Sequence, residues 1–298
     1  MPILTASDWA VLRLLRPLRA RSFTYLSHVW FFHRLPSFRL PQTFTERIQA
    51  KKLFDHNPLF TITADKYAVR NYVAERIGTA HLIPLIRAVN DPTDLDLRLL
   101  PDSFVAKAAH GNNATLFVHN KASLDWDACK QTMRRWLEVN WYHYNKEWAY
   151  RNIPPRIVIE ELLDEDGQSP TDYKFFVFSG KVRMIQVDIA RFSQHQRNLF
   201  DDNWRSLAVS YRHPRPAVAP PKPTHLLEMT AIAEELGKDF EFARIDLYQH
   251  GNRVLFGEIT HYPEGGSAPF SPTDFDLALG EVWHSGQMLP ERFYDGAG

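Results

Sequence analysis

The amino-acid sequence predicts an α+β fold that contains antiparallel sheet. Two stretches are typical of β-hairpins: "YKFFVFSGKVRMIQVDIAR", which turns at Ser179-Gly180, and "FEFARIDLYQHGNRVLFGEITHYPEGG", which turns within "QHGN". Helical patterns are interspersed with these strands along the chain. Antiparallel hairpins mixed with helices favour α+β over a doubly wound parallel sheet.

The predicted elements follow in chain order. A helix at about 63–77 should end at Gly78. Strands are expected at 103–109, 114–119 and 156–163, with a helix at 123–140 between the second and the third. After the first hairpin, the prolines between Pro214 and Pro223 exclude a helix or a central strand and predict an ordered loop. A helix at 224–237, the second hairpin and a carboxy-terminal helical stretch complete the chain.

Composition limits the classes of function. The 298 residues are 44% hydrophobic, so the chain can bury a sizeable core. Lys and Arg number 35 and Asp and Glu also number 35, which gives no overall attraction to nucleic acid. We therefore expect no nucleic-acid partner. The single cysteine, Cys129, excludes an intramolecular disulfide and favours the cytoplasm.

The amino-terminal segment, residues 9–40, is basic, aromatic and free of acidic residues. Its apolar runs are shorter than the roughly 20 residues that a bilayer span needs, and it has no signal-peptide cleavage site. Two interpretations stay open. The segment is either a helical arm that packs one apolar side onto the domain, or a peripheral contact with the inner membrane surface. The expected packing side consists of Trp9, Leu12, Leu15 and Leu18.

The second hairpin carries charge where strands usually carry Val or Ile. Arg244 and Asp246 share one face of the first strand, and Glu258 and Thr260 share one face of the second. Asp246 and Glu258 can face the same side only if the loop has an odd number of residues, so we expect a three-residue loop at 250–252. Two such carboxylates suit Mg²⁺ and repel each other without it. The alternative is an exposed polar face on which Arg244 pairs with a carboxylate.

Two further stretches have residue types that suit a nucleotide. Lys107 interrupts an apolar strand just before "HGNN", where backbone N–H groups and an ammonium group can meet phosphate. The alternative is a lysine that extends from an edge strand into solvent. In "RIVIEELLDEDG", an apolar strand runs into Glu160, Glu161 and further acids, which suits an adenine amino group followed by ribose hydroxyls. A solvated acidic loop is the alternative.

Taken in order, seven motifs between about residues 44 and 280 resemble the ATP-grasp superfamily, and within it the TupA-like family found with cell-surface polysaccharide biosynthesis. They are "FTERIQAKKL", "ADKYAVRNYV", "FVAKAAHGNN", "VIEELL", "DYKFFVFSGKV", "FARIDLY" and "FGEITHYPEGG". The resemblance implies two α+β lobes that clasp ATP, with Mg²⁺ on its phosphates. It implies a helical extension at 1–60 and an ATP-grasp domain at 61–298, with a small lobe at about 101–163 and a large lobe at about 164–298.

The resemblance also implies roles for individual residues. Lys107 and Arg70 would contact the ATP phosphates, Arg244 would steady charge on the reacting acyl centre, and Lys174 would face the nucleotide from the large lobe. The metal ligands would be Asp246, Glu258 and Thr260, although many members have asparagine at the third position. The adenine and ribose would be bound by Glu160, Glu161, Leu162 and Leu163, followed by Asp164 or Asp166.

The implied reaction joins a carboxylate to an amine. ATP phosphorylates the carboxylate, and the amine displaces phosphate from the acylphosphate to form an amide or peptide bond. The substrates would be small molecules or groups linked to a polysaccharide. Two alternatives remain: a glycosyltransferase-like enzyme, for which the sequence has no Asp-x-Asp motif at a suitable strand end, and a non-catalytic nucleotide-binding module.

Overall fold

Two antiparallel sheets form the framework of the protein. The computed structural model describes residues 5–163, 170–189 and 195–296, and every structural statement below concerns those residues. In spatial order, the small sheet contains β1 (Leu85–Val89), β4 (Ile157–Glu160), β2 (Phe104–Ala108) and β3 (Thr115–Val118). The large sheet contains β10 (Arg253–Thr260), β9 (Phe242–His250), β5 (Asp172–Phe178), β6 (Lys181–Ile189) and β7 (Gln196–Phe200). The short strands β8 (Ser210–Tyr211) and β11 (Phe270–Ser271) pair with each other.

Helices cover and connect the sheets, which confirms the α+β class. They are α1 (Ala6–Leu15), α2 (Ala20–Phe32), α3 (Phe44–Phe54), α4 (Pro58–Ala64), α5 (Val69–Ile77), α6 (Trp126–Leu137), α7 (Tyr142–Asn145), α8 (Leu226–Gly237) and α9 (Phe275–Ser285). Within the described residues, no helix is both long enough and apolar enough to cross a bilayer. The proline-rich stretch forms an irregular loop, as predicted.

Aromatic side chains build the core on one face of the large sheet. Phe44 of α3 is fully buried and lies 5.2 Å, centroid to centroid, from the ring of Phe242, which itself stacks on Trp283 at 4.6 Å. The small sheet has its own core around Phe104 and Met133. Because α3 supplies a core residue of the large sheet, it is integrated with the residues that follow it, and the predicted domain boundaries remain a proposal.

Three predicted elements differ from the observed ones. The helix expected at 63–77 is divided between α4 and α5, because the Asp65 side chain accepts the backbone N–H of Tyr67 at 2.8 Å and stabilises a turn there. The strand expected at 156–163 ends at Glu160. Strand β1 was not predicted, and it pairs with β4, so the small sheet begins before the expected boundary at residue 101.

The amino-terminal arm, residues 5–40, contains α1, α2 and the segment that follows α2. Thr5 caps α1 through a reciprocal pair of hydrogen bonds with Asp8, and the Trp30 indole of α2 donates to the same carboxylate at 2.9 Å. Leu12 is buried, whereas Trp9 and Leu18 are exposed. The packing side predicted for this arm is therefore only partly correct.

Candidate active site

The hairpin of β9 and β10 places Asp246 directly opposite Glu258. Its loop is shorter than predicted, because His250 pairs with Arg253 and only Gly251 and Asn252 lie between them. That register alone would put the two carboxylates on opposite faces. A bulge between Phe256 and Glu258 shifts the register by one residue and restores the shared face. The shared face is confirmed, and the three-residue loop is wrong.

Gly257 makes this bulge possible. A Cβ atom at this position would lie 3.0 Å from the backbone oxygen of Asp246 and 3.0 Å from the Tyr248 ring, closer than nine in ten real Cβ contacts. An isolated glycine in a strand pattern is a known signal for a bulge or a close backbone approach. The position of Glu258 therefore depends on a residue without a side chain.

Asp246 is buried and held by two cations. Its Oδ1 accepts from Nε of Arg244 at 2.7 Å, and its Oδ2 accepts from Nη2 of Arg244 and from Nζ of Lys174, each at 2.7 Å. Burial alone would lower the pKa of Arg244, but Asp246 and Glu258 raise it above its ordinary value. Arg244 is therefore charged and binds both carboxylates of the hairpin.

Glu258 is the more accessible carboxylate, with about one third of its side chain exposed (33%). Its Oε1 accepts from Thr260 Oγ1 at 3.0 Å and lies 3.3 Å from Nη2 of Arg244, while its Oε2 lies 3.5 Å from Nζ of Lys66. Desolvation would raise its pKa, but Lys66, Arg244 and Lys174 hold the pKa below its usual range. Glu258 is therefore ionised and partly open to a ligand.

The oxygen atoms of Asp246, Glu258 and Thr260 have the chemistry of Mg²⁺ ligands. Among the described residues, no group of three or more His, Cys, Asp or Glu side chains is arranged to hold a metal ion. The protein therefore offers two carboxylates and one hydroxyl. That set fits an ion that obtains its remaining ligands from phosphate oxygens and water.

Lys174 lies within the large sheet's charged face and not in the cleft. Its side chain is 5% exposed and contacts three carboxylates, those of Asp172, Asp188 and Asp246. Burial would lower its pKa, but Asp172 and Asp246 raise it. The structure therefore places Lys174 beside a predicted metal ligand, whereas the resemblance implied that it faces the nucleotide.

Glu160 connects the two residues predicted to bind phosphate. Its Oε2 lies 2.7 Å from Nζ of Lys107, and its Oε1 lies 3.1 Å from Nη1 of Arg70. Lys107 pairs with Val158 across the small sheet, so Glu160, two residues further on, shares its face. The resemblance placed Glu160 at the adenine, but in this structure its carboxylate neutralises the two cations.

A cleft lies between the small sheet and the large hairpin. Its empty volume is about 280 Å³, and its walls are Lys66, Arg70, Leu82, Lys107, Glu160, Phe256 and Gly257. The bulge of the large hairpin and the predicted phosphate-binding cations thus face the same space. Arg70, Lys107 and Glu160, which the resemblance alone placed in one site, thus line one cleft, and Leu82 is a lining residue that was not predicted.

The remaining predicted nucleotide residues lie at the edge of this region. Glu161 is exposed, and its backbone N–H donates to the Pro84 carbonyl at 3.1 Å. Leu163 packs with Ile83 and Leu255, next to the large hairpin. Leu162 is half-buried. Asp164 and Asp166, predicted at the ribose, lie outside the described residues.

Lys66 is a site residue that the sequence analysis did not identify. Its Nζ donates to the Gly111 carbonyl at 3.0 Å and lies 3.5 Å from Oε2 of Glu258. It therefore links the loop after β2 to the large hairpin. Its only signal in the sequence is its position four residues before Arg70, a spacing that would put the two side chains on one face of a helix. In the structure Lys66 lies before the start of α5, but both side chains still line the cleft.

A buried charge pair lies behind the turn that follows β10. Lys52 donates to the Gly265 carbonyl at 2.9 Å, and a Cβ atom at Gly265 would lie 3.3 Å from Oε1 of Glu147. Burial raises the pKa of Glu147 to about 7 and lowers the pKa of Lys52 to about 8. The folded protein therefore holds a proton on Glu147 at pH values where the unfolded chain, with a pKa near 4.5, has lost it.

Replacing Glu147 by glutamine should change how stability depends on pH. A raised carboxyl pKa contributes stability below about 4.5 that is lost as the pH approaches 7. Between pH 4.5 and 7 the wild type should therefore lose about 1 to 3 kcal/mol more of its unfolding free energy than Glu147→Gln. Urea unfolding at the two pH values measures this difference. Glu138→Gln, at an exposed position, is the control, and an equal loss in wild type and Glu147→Gln would contradict the assignment.

Comparison with known proteins identifies the family. The sequence matches the family model described as TupA-like ATPgrasp over residues 46–284. No curated protein sequence matches the chain. Two similar solved structures are D-alanine–D-alanine ligase from Bacillus anthracis in complex with ATP and the ATP-grasp ligase PsnB in complex with a phosphomimetic variant of a minimal precursor, Mg and ADP.

The two likenesses are distant. The first is 15% identical with a TM-score of 0.41 and covers 67% of this chain and 55% of the other. The second is 12% identical with a TM-score of 0.42 and covers 77% of this chain and 60% of the other. The chain thus spans less than two thirds of each relative. The family match, which spans most of the chain, confirms the resemblance carried by the seven motifs. The chain belongs to the TupA-like ATP-grasp family.

Proposed function

We propose that the protein is an ATP-dependent carboxylate-amine ligase that acts in the biosynthesis or modification of a cell-surface polysaccharide. One observation carries this proposal: Lys66, which lines the cleft together with Arg70 and Lys107, lies 3.5 Å from Glu258, the hairpin carboxylate that the Gly257 bulge pairs with Asp246. Cations that line the cleft, with the hairpin carboxylates next to one of them, suit a nucleotide with a divalent cation on its phosphates. The polysaccharide context rests on the family alone.

Nucleotide binding would require an exchange of ionic partners. Lys107 and Arg70 both contact Glu160, so a nucleotide can reach these cations only by displacing that carboxylate. Phosphate oxygens would replace Glu160 on Lys107 and Arg70. The adenine would then lie along Glu161, Leu162 and Leu163, where backbone groups can bind its edge. Residues 161–163 thus keep the adenine-binding role, whereas the Glu160 side chain neutralises Lys107 and Arg70 until a nucleotide binds.

Asp246, Glu258 and Thr260 would hold Mg²⁺, which supplies positive charge to the phosphates during transfer. The donor oxygens are those described above, and Glu258 is the accessible member. Arg244 already contacts both carboxylates, so a small shift of its guanidinium would let it steady the negative charge at the reacting acyl group. Lys174 would remain a buried counter-charge that keeps Asp246 in place.

The chemistry divides into two transfers. A carboxylate oxygen of the first substrate attacks the terminal phosphorus of ATP, and ADP leaves. The nitrogen of the amine substrate then attacks the acyl carbon, phosphate leaves, and the nitrogen loses a proton. The chain's own residues position anionic groups side by side and offset their charge, which accounts for the predominance of Lys and Arg at the cleft.

Trapping the acylphosphate tests this function. The protein is incubated with Mg-ATP, a panel of carboxylic acids and hydroxylamine, which converts an acylphosphate to a hydroxamate. A ligase should form hydroxamate and ADP in equal amounts with at least one acid. Stabilisation against heat by nucleotide sugars and not by Mg-ATP would favour the glycosyltransferase alternative, and Mg-ATP binding without any ADP formation would favour a binding module.

We also propose that the amino-terminal arm contacts the cytoplasmic face of the inner membrane. Leu14, Leu35 and Leu40 are 78%, 73% and 73% exposed. A mainly apolar groove of about 700 Å³ between α2 and α3 is lined in part by Arg21 and Arg39. Exposed apolar side chains beside arginines are typical of segments that lie on anionic lipid. An anionic lipid surface would complement both the exposed leucines and the arginines.

Reversing charge on this arm should weaken vesicle binding. The variant Arg13→Glu/Arg19→Glu/Arg39→Glu changes three exposed arginines, each worth about 1 kcal/mol near anionic lipid, so binding should fall at least about 100-fold. Co-sedimentation with vesicles of phosphatidylglycerol and phosphatidylcholine measures it. The control reverses Lys130, Arg134 and Arg135 on α6. Failure of the wild type to bind at low salt would contradict the membrane contact.

A further inference from the structure

Two strained backbone segments meet at Arg212, which has no part in the proposed ATP and metal roles. Arg212 has φ +61°, and the N–H of His213 donates to the carbonyl of Tyr211 at 2.7 Å across it. A backbone hydrogen bond between residues i and i+2, with a positive φ at the residue between them, defines the rare and strained form of the γ-turn. Opposite it, Glu264 has φ +51° and is followed by two glycines in the same region.

The surrounding structure holds both segments in place. The Tyr211 carbonyl also accepts from Nη1 of Arg197 at 3.2 Å, and the same guanidinium contacts Oδ1 of Asp188 at 2.6 Å and Oε1 of Glu264 at 3.0 Å. Strand β8, just before Arg212, pairs with β11, a few residues after Glu264. The rings of Tyr211 and Phe270 stack there with their centroids 4.3 Å apart. Strain that is held by so many contacts is typical of functional sites.

The identity of residue 212 is not explained by the turn. Glycine or asparagine would adopt a positive φ at lower cost. Nη1 of Arg212 contacts Glu264, while its buried Nε has no hydrogen-bond partner among the described residues, and the side chain is 22% exposed. Nη2 of Arg212 makes no hydrogen bond among the described residues, so this end of the partly exposed guanidinium can donate to another anion. Burial would raise the pKa of Glu264, but Arg197 and Arg212 hold it at about 2, so the ion pair persists.

This cluster adjoins the proposed reacting centre. Glu264 lies four residues after Thr260. Arg197 joins Glu264 to Asp188, with contacts of 3.0 and 2.6 Å. Asp188 in turn lies 4.0 Å from Nζ of Lys174, which donates to Asp246, the carboxylate that Arg244 binds. A substrate whose acyl group contacts Arg244 would therefore have its distal end near Arg212.

We propose that Arg212 binds a carboxylate that the substrate carries in addition to its reacting group. The planar guanidinium can donate two parallel hydrogen bonds to a carboxylate. Because the turn fixes the backbone at Arg212, less entropy is lost when the side chain binds. The substrate is thus an acid or amine with a second, unreacted carboxylate. This inference rests on the ligase function and specifies its substrate class.

Calorimetric titration tests the inference on the full-length protein saturated with Mg-ADP. The probes are L-glutamate, L-aspartate and D-glucuronate, each compared with its amide. The wild type should bind at least one acid about tenfold or more tighter than the amide, the scale of one charge-assisted hydrogen-bond pair. Arg212→Gly should lose that preference, and Arg215→Gln, three residues along the same loop, should keep it. Absence of a preference in the wild type, or its survival in Arg212→Gly, would overturn the inference.

Arg212→Gly also separates binding from a structural role. Glycine accepts the positive φ, so relief of strain should offset the lost ion pair, and the melting temperature should stay near that of the wild type. A merely structural arginine predicts the reverse: a lower melting temperature with the preference for acids unchanged. The same titration reports on the proposed function separately, because failure to bind Mg-ADP contradicts the ATP site, whereas normal Mg-ADP binding without a preference for acids contradicts only the role of Arg212.

Discussion

Replacing Glu258 by glutamine should lower the rate of ATP consumption by about 10³-fold, at the upper end of the usual loss for one charge-stabilising group. The change keeps the size of the side chain and its contact with Thr260 but removes the accessible charge of the proposed metal pair. The Mg²⁺ concentration that gives half-maximal rate should rise at least about tenfold. ADP release during a Mg²⁺ titration measures both quantities.

The fold should survive this substitution, because Asp246 remains to neutralise Arg244 and Lys174. A melting temperature close to that of the wild type checks this. Glu281→Gln, at an exposed position on α9, is the matched control and should leave both the rate and the Mg²⁺ requirement unchanged. A Glu258→Gln protein with normal turnover and a normal Mg²⁺ requirement would contradict the metal role of the hairpin.

Replacing Lys107 by methionine should lower turnover by about 10²- to 10³-fold, the cost of losing one positioned charge. Methionine retains most of the apolar length of the lysine side chain, and Arg70 still pairs with Glu160, so the small sheet should stay folded. The loss should appear in kcat and in the affinity for ATP together, because phosphate contacts act in the ground state and during transfer.

Lys130→Met on α6 is the control for this variant. Lys130 pairs with Asp127 on the same helix and does not line the cleft. It should show wild-type kinetics and a nearly unchanged melting temperature, since an ion pair of this kind is worth less than about 1 kcal/mol. Unchanged ATP turnover in Lys107→Met would exclude the phosphate role.

Local patterns in the sequence were enough to predict the hairpins. The stretches on either side of Ser179-Gly180 and of Gly251 are rich in strand-forming residues and meet at turn residues, and the structure has both hairpins. The loop length was not predictable in the same way, because an odd loop and an even loop with a bulge give the same pairing of Asp246 with Glu258. Gly257 was the one local signal that favours the bulge.

The ionic partners within the site were beyond local patterns. Glu160 contacts Lys107 and Arg70 from positions 53 and 90 residues away, and the register of β2 with β4 determines the first of these contacts. Arg197 of β7 contacts Glu264 from 67 residues away, and the nearby strands β8 and β11 are two residues each and too short for any periodic pattern. The charged residues within apolar strands indicated a site, but not which charges would neutralise each other.

Titration of the non-hydrolysable ATP analogue AMP-PNP by calorimetry tests the Mg-ATP site most directly. The wild type should bind the analogue with Mg²⁺ and at least about tenfold more weakly in EDTA, and Glu258→Gln should remove this Mg²⁺ dependence. Lys107→Met should weaken binding at least about tenfold in the presence of Mg²⁺. An affinity that neither EDTA nor either substitution changes would contradict the assignment of the cleft as a Mg-ATP site, and so would the absence of binding to the wild type.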